Sequence, residues 1–308
     1  MKGAVSIAQA AKISDLAIAS TIIAFGTNLP TLTVNLALIF FATNGAAAAI
    51  GNTMGTSFVN IGLALGIPAF ILTIVTKYQV FEKEIPILFA VNAIITGFVI
   101  DGGINWVEGM ILLMTYLITT LIVYQYAMKE KVKTTDQAEM DVDTSTIDEV
   151  KTKGLGTTKS ILYIVGGSLL MIVFSVLLAQ LSPILSELYH ISEYVLGLTV
   201  IGIGTSLPTI VTSIRAAKKG YVDIILGNVF GGTIANMTLG LGIPALVKTL
   251  QFDQGSISDI YLFNIYCLTV LFLILVEMKL LGGNKTLSRV SGIIIVLIFI
   301  SYLVFKMV

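Results

Sequence analysis

The chain has 308 residues, of which 56% are apolar and only 12% charged, and its mean hydropathy is +0.96. A water-soluble protein of this length needs more polar residues to cover its surface, so the composition predicts an integral membrane protein in a lipid bilayer. Basic and acidic residues balance at 18 each without long basic runs, which excludes nucleic acid as a partner, and the lone Cys267 excludes an internal disulfide or a cysteine-based metal site.

Stretches without charge predict the membrane-spanning helices in chain order. Residues 16–76 contain no charged residue and are long enough for two spans joined by a turn at residues 43–45. Since about 20 apolar residues cross the hydrocarbon core, each further run is one span. These runs lie at residues 85–100, 109–128, 160–186, 194–214, 224–247, 261–276 and 290–305. They alternate too little for barrel strands, so the fold class is predicted to be an all-α membrane bundle of about nine helices.

A charged stretch divides the helices into four before it and five after it. The predicted organisation is a first membrane repeat at residues 1–128, a solvated linker at 129–158 and a second membrane repeat at 159–308. Lysine and arginine concentrate in loops that all fall on one side if the N-terminus is cytoplasmic. We therefore expect a multi-pass protein of the cell membrane with a cytoplasmic N-terminus, a cytoplasmic linker and an external C-terminus.

Two polar segments occur once in each half of the chain. Residues 26–31, GTNLPT, recur as residues 204–209, GTSLPT, and the block GNTMGTSFVNIGLALGIPA at 51–69 recurs as GNVFGGTIANMTLGLGIPA at 227–245. The predicted orientation makes the two copies run in opposite directions, which is typical of inverted-topology repeats with a site near the membrane midplane. Glycine and proline could instead serve only close helix packing. Packing alone, however, does not require threonine, asparagine and serine in register in both copies.

The residue types in these segments suit the binding of a cation. Pro30 and Pro208 cannot donate a backbone hydrogen bond, so we expect a helix break at each that frees carbonyl oxygens inside the bundle. Hydroxyl groups lie one helical turn apart in each first segment, and Asn60 of the first half matches Asn236 of the second. Gly232 takes the place of Thr56. Hydroxyl, amide and carbonyl oxygens are therefore able to converge from both repeats.

At these residues the chain resembles the sodium/calcium exchanger family, part of the cation/calcium antiporter superfamily. In that family the first motif of each repeat reads roughly Gly-Thr/Ser-Ser-x-Pro-Glu, and the second reads Gly-Asn-x-x-Gly-Ser-x-x-x-Asn/Asp. The resemblance implies ten helices in two inverted five-helix repeats that exchange sodium for calcium by alternating access. It implies that the metal ligands are Thr27, Asn28, Thr31, Thr56, Asn60, Thr205, Ser206, Thr209 and Asn236.

The chain departs from the family pattern at the acids. Thr31 and Thr209 stand where the family has glutamate, and Asn236 stands where an acid is often found. Calcium prefers carboxylates among six to eight oxygen ligands, and threonine and asparagine do not titrate near neutral pH. We therefore predict a secondary antiporter with neutral oxygen ligands, handling a monovalent cation such as sodium or handling calcium weakly. The chain also leaves no room for the family's first helix, since residues 1–15 correspond only to its end.

Two other functions stay open on the sequence. One is a degenerate, non-transporting scaffold or partner protein of the same fold. The other is a carrier of an anion or a neutral solute that uses helix N-termini once the acids are gone. In each case we predict no enzymatic activity and no cofactor beyond the transported ions, and homo-oligomerisation stays open.

Overall fold

The computed structural model describes residues 24–76, 78–135, 157–280 and 285–307. Within these residues, seven helices are long and apolar enough to cross a membrane, and two shorter apolar helices lie at Gly26–Phe41 and Glu84–Val99. Each predicted run corresponds to one of these helices, so the prediction of an all-α bundle is confirmed. The expected end of a first helix at residues 1–15 lies outside the described residues.

The first half consists of four spans and two very short strands. Its elements are α1 (Ala24–Phe41), α2 (Gly45–Val59), α3 (Gly66–Ile71), β1 (Ile74–Thr76), α4 (Tyr78–Val99), β2 (Gly103–Ile104) and α5 (Trp106–Thr135). A turn over residues 42–44 separates α1 from α2, where the sequence predicted it. Because α5 continues to Thr135, the start of the predicted linker is helical.

The second half repeats this order after a long additional helix. Its elements are α6 (Thr157–Tyr189), α7 (Glu193–Leu196), α8 (Gly202–Lys218), α9 (Val222–Leu226), α10 (Gly232–Val247), β3 (Leu250–Gln251), α11 (Gln254–Leu280), β4 (Lys285–Leu287) and α12 (Arg289–Met307). The linker residues 136–156 lie outside the described residues. Helix α11 begins at Gln254, about two turns before the predicted start at residue 261. The charge of Asp259 is accommodated in the helix because its carboxylate is buried against Lys306 of α12.

Turns of π-helix, not prolines, mark the irregular points of the spans. They join α2 to α3 at Asn60–Leu65, α7 to α8 at Gly197–Ile201, and α9 to α10 at Gly227–Gly231. The predicted breaks at Pro30 and Pro208 are wrong, since α1 and α8 continue through them. A helix inside a bundle tolerates a proline because neighbouring hydroxyls and small backbone adjustments satisfy the groups that it leaves free. π-Helical turns inside a helix often lie at functional sites.

The two halves are packed into each other. A Cβ atom on Gly109 of α5 would lie 2.9 Å from the carbonyl oxygen of Gly242 in α10. A Cβ atom on Gly292 of α12 would likewise lie 2.8 Å from the carbonyl oxygen of Gly66 in α3. The antiparallel strand pairs β1–β4 and β2–β3 also join one half to the other. The last helix of each half therefore packs on the opposite half, as inverted repeats require.

Candidate ion-binding site

Glycines bring the second motif of the first half into backbone contact with the start of the second half. A Cβ atom on Gly51 would lie 2.1 Å from the carbonyl oxygen of Tyr194, and one on Gly55 would lie 2.0 Å from that of Leu198. From the other side, a Cβ atom on Gly197 would lie 2.3 Å from the carbonyl oxygen of Ala48. Any side chain at these positions would separate the helices. The glycines thus serve close packing, and that packing positions the polar residues between them.

All of the predicted ligands are buried, none being more than 7% exposed. Three of them lie on α1, three on α8, and one each on α2, on the π-helical turn after α2 and on α10. In that order they are Thr27, Asn28 and Thr31, then Thr205, Ser206 and Thr209, then Thr56, Asn60 and Asn236. The polar residues therefore lie in the interior of the bundle, in both halves, away from the surrounding lipid.

Asn52 of α2 connects the first motifs of the two halves. Its Oδ1 accepts a hydrogen bond from Thr205 Oγ1 at 2.9 Å, and its Nδ2 donates to Asn35 Oδ1 at 2.6 Å and to the carbonyl oxygen of Thr31 at 3.5 Å. Thr56 Oγ1 lies 3.0 Å from Thr205 Oγ1, which adds a second contact between α2 and α8. One buried amide thus holds three spans together.

Asn228 makes the corresponding contacts in the opposite half. Its Oδ1 accepts from Thr27 Oγ1 at 3.2 Å, and its Nδ2 donates to the carbonyl oxygen of Thr209 at 3.2 Å and to Ser213 Oγ at 3.1 Å. In the repeat, Asn228 corresponds to Asn52, and each of its partners corresponds to a partner of Asn52. The duplicated sequence therefore builds a duplicated hydrogen-bond network.

Several buried polar atoms of the predicted ligands have no hydrogen-bond partner. They are Thr31 Oγ1, Thr209 Oγ1, Asn236 Oδ1 and both Oδ1 and Nδ2 of Asn60. Asn236 is held in one orientation, because its Nδ2 donates to the carbonyl oxygen of Thr53 and to Ser57 Oγ, both at 2.8 Å. Buried polar groups in proteins nearly always have a partner, so these atoms indicate a place for a ligand.

A small cavity of about 10 Å³ lies against Asn236, one of these residues, roughly the space that one water molecule needs. Its lining consists of Asn28, Asn236 and five residues without polar side chains, namely Leu29, Leu32, Ala235, Leu239 and Gly240. Gly232 lies close by, since a Cβ atom there would be 3.1 Å from Asn28 Nδ2 and 3.8 Å from Asn60 Nδ2. The three asparagines of the predicted site therefore converge on one region.

The side chains of the predicted ligands are hydroxyls and amides, all of them neutral. No group of three or more His, Cys, Asp or Glu side chains that could hold a metal ion occurs among the residues that the structure describes. Thr205 and Ser206 also donate their hydroxyls within their own span, to the carbonyl oxygens of Ile201 at 3.0 Å and of Gly202 at 2.6 Å. The site thus offers oxygen ligands for a cation without a carboxylate to balance its charge.

Two asparagines of the hydrogen-bond network are not among the ligands predicted from the sequence. Asn52 and Asn228 follow the glycines that open the second motif, and these Gly-Asn pairs predict only a close approach of the helices. Both asparagines connect the two first motifs. Because both asparagines occur in register in the two copies, the repeat could have identified them in the same way as it identified the predicted ligands.

The chain matches the family of the sodium/calcium exchanger protein over residues 1–125 and 159–308, which is nearly its whole length. The chain belongs to the sodium/calcium exchanger family. It is 29% identical to the inner membrane protein YrbG of Escherichia coli strain K12, over 81% of this chain and 74% of that protein. It is 24% identical to the sodium/calcium exchanger MaX1 of Methanosarcina acetivorans, over 99% of this chain and 92% of that protein.

The fold also matches a solved structure of the family. The sodium-calcium exchanger NCX_Mj, soaked with 100 mM Na+ and 10 mM Sr2+, aligns with a TM-score of 0.62 at 24% identity. The alignment covers 98% of this chain and 90% of NCX_Mj. The exchanger fold with inverted repeats is therefore confirmed. The protein is a multi-pass membrane protein from a family of cation exchangers and antiporters.

Proposed function

We propose that this protein is a secondary antiporter that exchanges a monovalent cation, sodium being the ion that fits best, by alternating access at the central site. The observation that carries the proposal is the set of buried, partnerless and neutral atoms contributed by both halves, at Thr31, Asn60, Thr209 and Asn236. The ligands of the ion are then the nine residues predicted from the sequence. Asn52 and Asn228 hold the helices that carry them.

The charge of the site favours a monovalent ion over calcium. Removing an ion from water costs free energy that rises with the square of its charge, and calcium sites recover that cost with carboxylates. Here the positions that would supply them carry threonine and asparagine. Hydroxyl and amide dipoles offset the cost of removing a singly charged ion from water more readily than that of a doubly charged one. Calcium exchange through this site is therefore weak.

The partnerless atoms disfavour a non-transporting scaffold. Each buried polar group left without a partner costs about 1–3 kcal/mol. A protein that only needed to keep its fold would gain stability by replacing these residues with apolar ones. Asn236 is moreover held by two hydrogen bonds in the orientation that leaves its Oδ1 free.

The course of the helices disfavours an anion carrier. Anion sites at half-helices depend on helix N-termini that end at the site. Here the motif residues of the second half lie inside the continuous helical spans Glu193–Lys218 and Ile224–Val247. A neutral solute has one specific feature in its favour, the partnerless donor Asn60 Nδ2. It is therefore included as an outcome of the test.

The topology belongs to the same proposal. With a cytoplasmic N-terminus, a membrane repeat at 1–128, a cytoplasmic linker at 129–158 and a second repeat at 159–308, the basic loops lie inside, as the positive-inside rule requires. The site then lies between two halves of opposite orientation, so that rocking of one against the other exposes it to either side.

Transport by the purified protein in liposomes tests the proposal. Vesicles loaded with sodium are diluted into radioactive sodium, and we expect saturable uptake by counterflow. Thr209→Val removes a partnerless hydroxyl and should weaken apparent sodium affinity about tenfold, which corresponds to about 1.4 kcal/mol. Thr212→Val is the matched control on the same helix, because the Thr212 hydroxyl only donates to the carbonyl oxygen of Pro208, at 2.7 Å.

Three results would overturn the proposal. Sodium-gradient-driven calcium uptake at micromolar calcium would mean that the neutral site transports calcium after all. Absence of flux for every monovalent cation would favour the scaffold. Ion-independent binding of a small polar solute, lost in Asn60→Leu, would favour the neutral-solute carrier.

A further inference from the structure

The internal repeat provides a built-in comparison for each residue of the site. Thr27 corresponds to Thr205, and Asn228 corresponds to Asn52. The hydrogen bond from Thr27 to Asn228, at 3.2 Å, is therefore repeated by the one from Thr205 to Asn52, at 2.9 Å. Against this symmetry, differences between the halves mark where the site is specialised. Two such differences fall on residues that face each other.

In both motifs the first half carries the larger residue and the second half the smaller one. Asn28 corresponds to Ser206, and Gly232 corresponds to Thr56. A Cβ atom on Gly232 would lie 3.1 Å from Asn28 Nδ2 and 3.9 Å from Asn28 Oδ1. The amide of Asn28 thus occupies the space that a side chain at position 232 would need.

The mirror-image position is filled differently. Ser206 turns its hydroxyl to the carbonyl oxygen of Gly202 at 2.6 Å, and Thr56 places its own 3.0 Å from Thr205 Oγ1. On that side both hydroxyls are bonded to protein. On the Gly232 side, Asn28 and Asn60 both lie near the glycine, with Nδ2 atoms 3.1 and 3.8 Å from where a Cβ atom on Gly232 would be.

The cavity lies on the amide side of this asymmetric site. Its lining includes Asn28 and Asn236, and the exposure of each is 6% or less. Asn236 is fixed by two hydrogen bonds, so the position of the Asn28 amide is one determinant of the width of this space. The position of the Asn28 amide in turn depends on the absence of a side chain at position 232.

We propose that the Asn28–Gly232 pair is the size-selectivity determinant of the site. Asn28 supplies one wall of the ion cavity, and Gly232 is a positioning residue that lets the amide retract far enough for the selected ion. Selectivity among ions of equal charge depends on the size of the cavity and on the number of coordinating dipoles. The inference rests on the proposed monovalent-cation function and adds the residues that choose the ion.

Two substitutions should move the selectivity in opposite directions. In Gly232→Ala, the added methyl group pushes the Asn28 amide into the cavity and narrows it, so the ratio of lithium to sodium affinity should rise about tenfold. In Asn28→Ser, the wall is lost and the cavity widens, so the ratio of potassium to sodium affinity should rise by about the same factor. One methylene group in a binding pocket is typically worth a factor of about ten or more.

The double variant Asn28→Ser/Gly232→Thr copies the side chains of the other half. Because the threonine occupies the space that the amide leaves, the selectivity of the double variant should lie closer to that of the unchanged protein than the selectivity of either single variant does. Such non-additivity is expected only of residues in contact. Gly97→Ala is the matched control, since a Cβ atom on Gly97 of α4 meets nothing within 4 Å.

Each protein is purified in detergent, and its thermal unfolding is measured in lithium, sodium and potassium salts at equal ionic strength. An ion that binds the folded state raises the melting temperature, so the order of the shifts gives the selectivity. Counterflow in liposomes with the same ions is the second measurement. Asn28→Ser makes the side chain smaller and introduces no clash, so it keeps the test decisive if Gly232→Ala fails to fold.

The outcomes separate this inference from the proposed function. If the unchanged protein is neither stabilised by nor transports any monovalent cation, the proposed function fails and the inference fails with it. If the unchanged protein selects an ion but both single variants keep the ratios of Gly97→Ala, only the inference is overturned. Shifts of both variants in the same direction would also overturn it.

Discussion

The carboxylate of Asp259 lies 2.7 Å from the ammonium group of Lys306 and joins α11 to α12. Tyr194 of α7 donates a hydrogen bond from its hydroxyl to the other carboxylate oxygen, also at 2.7 Å. The Asp259 side chain is fully buried, and that of Lys306 is 15% exposed. A charge in a membrane-spanning segment is tolerated when it is paired in this way. The ion pair therefore fixes the last helix of the second half.

We expect Lys306→Met to lower the free energy of unfolding by about 3 kcal/mol, because it leaves a buried carboxylate without its counter-charge. The double variant Asp259→Asn/Lys306→Met should recover much of that loss, since no charge then remains unpaired. Thermal unfolding in detergent measures both. Lys248→Met, at an exposed lysine, should change stability by no more than about 0.5 kcal/mol. Equal losses in the single and double variants would contradict a contribution from charge pairing.

Asn52 and Asn228 should be equally important for stability, because their contacts duplicate each other. Replacing either with alanine leaves buried hydroxyl and carbonyl groups unpaired, and we expect a loss of about 1–3 kcal/mol in each case. Asn264→Ala is the control, since this part-buried asparagine donates one hydrogen bond, to Thr96 at 3.1 Å. Thermal unfolding in detergent measures whether the two losses are equal and larger than that of Asn264→Ala. Losses that differ widely between Asn52 and Asn228 would contradict the symmetric network.

The sequence sufficed for the span positions, the turn before Gly45 and the recurrence of the site in both halves. Those features follow from hydropathy and from local repetition. It did not reveal the π-helical turn at Asn60, which depends on how the helices pack. The predicted span at residues 261–276 leaves Asp259 outside the membrane helix, because its partner Lys306 is distant in the chain. The sequence did not predict the contacts of Asn52, since a hydrogen bond between the two repeats leaves no local pattern in the sequence.

Asp253 caps the N-terminus of α11 and should make stability depend on pH. Its Oδ1 accepts from the backbone nitrogen of Ser256 at 2.8 Å and from its hydroxyl at 2.6 Å, and the hydroxyl hydrogen bond in particular lowers the pKa of Asp253. A lowered pKa means that the stabilisation is present above the ordinary value of about 3.9 and is lost as pH falls through the folded-state value.

We therefore expect Asp253→Ala to cost about 1 kcal/mol at pH 6, where the carboxylate is charged, and less at pH 3. Unfolding temperatures in detergent across this range check the trend. Asp253→Asn retains an acceptor for the cap but cannot titrate. Its stability should therefore lack this part of the pH dependence. A cost of Asp253→Ala that is constant from pH 6 to pH 3 would contradict the assignment.

Restoring the acids should convert the site to calcium. Thr31→Glu/Thr209→Glu places one carboxylate in each half, at positions whose hydroxyls have no partner, so two negative charges would balance a divalent ion. We expect calcium affinity to rise at least about tenfold, measured by calorimetry and by calcium uptake in liposomes. Thr31→Gln/Thr209→Gln has the same size without the charge, and it should leave calcium affinity low. If the glutamate variant folds but binds calcium no better than the glutamine variant, the two threonines do not face a common ion. The ligand set would then have to be sought around Asn60 and Asn236 alone.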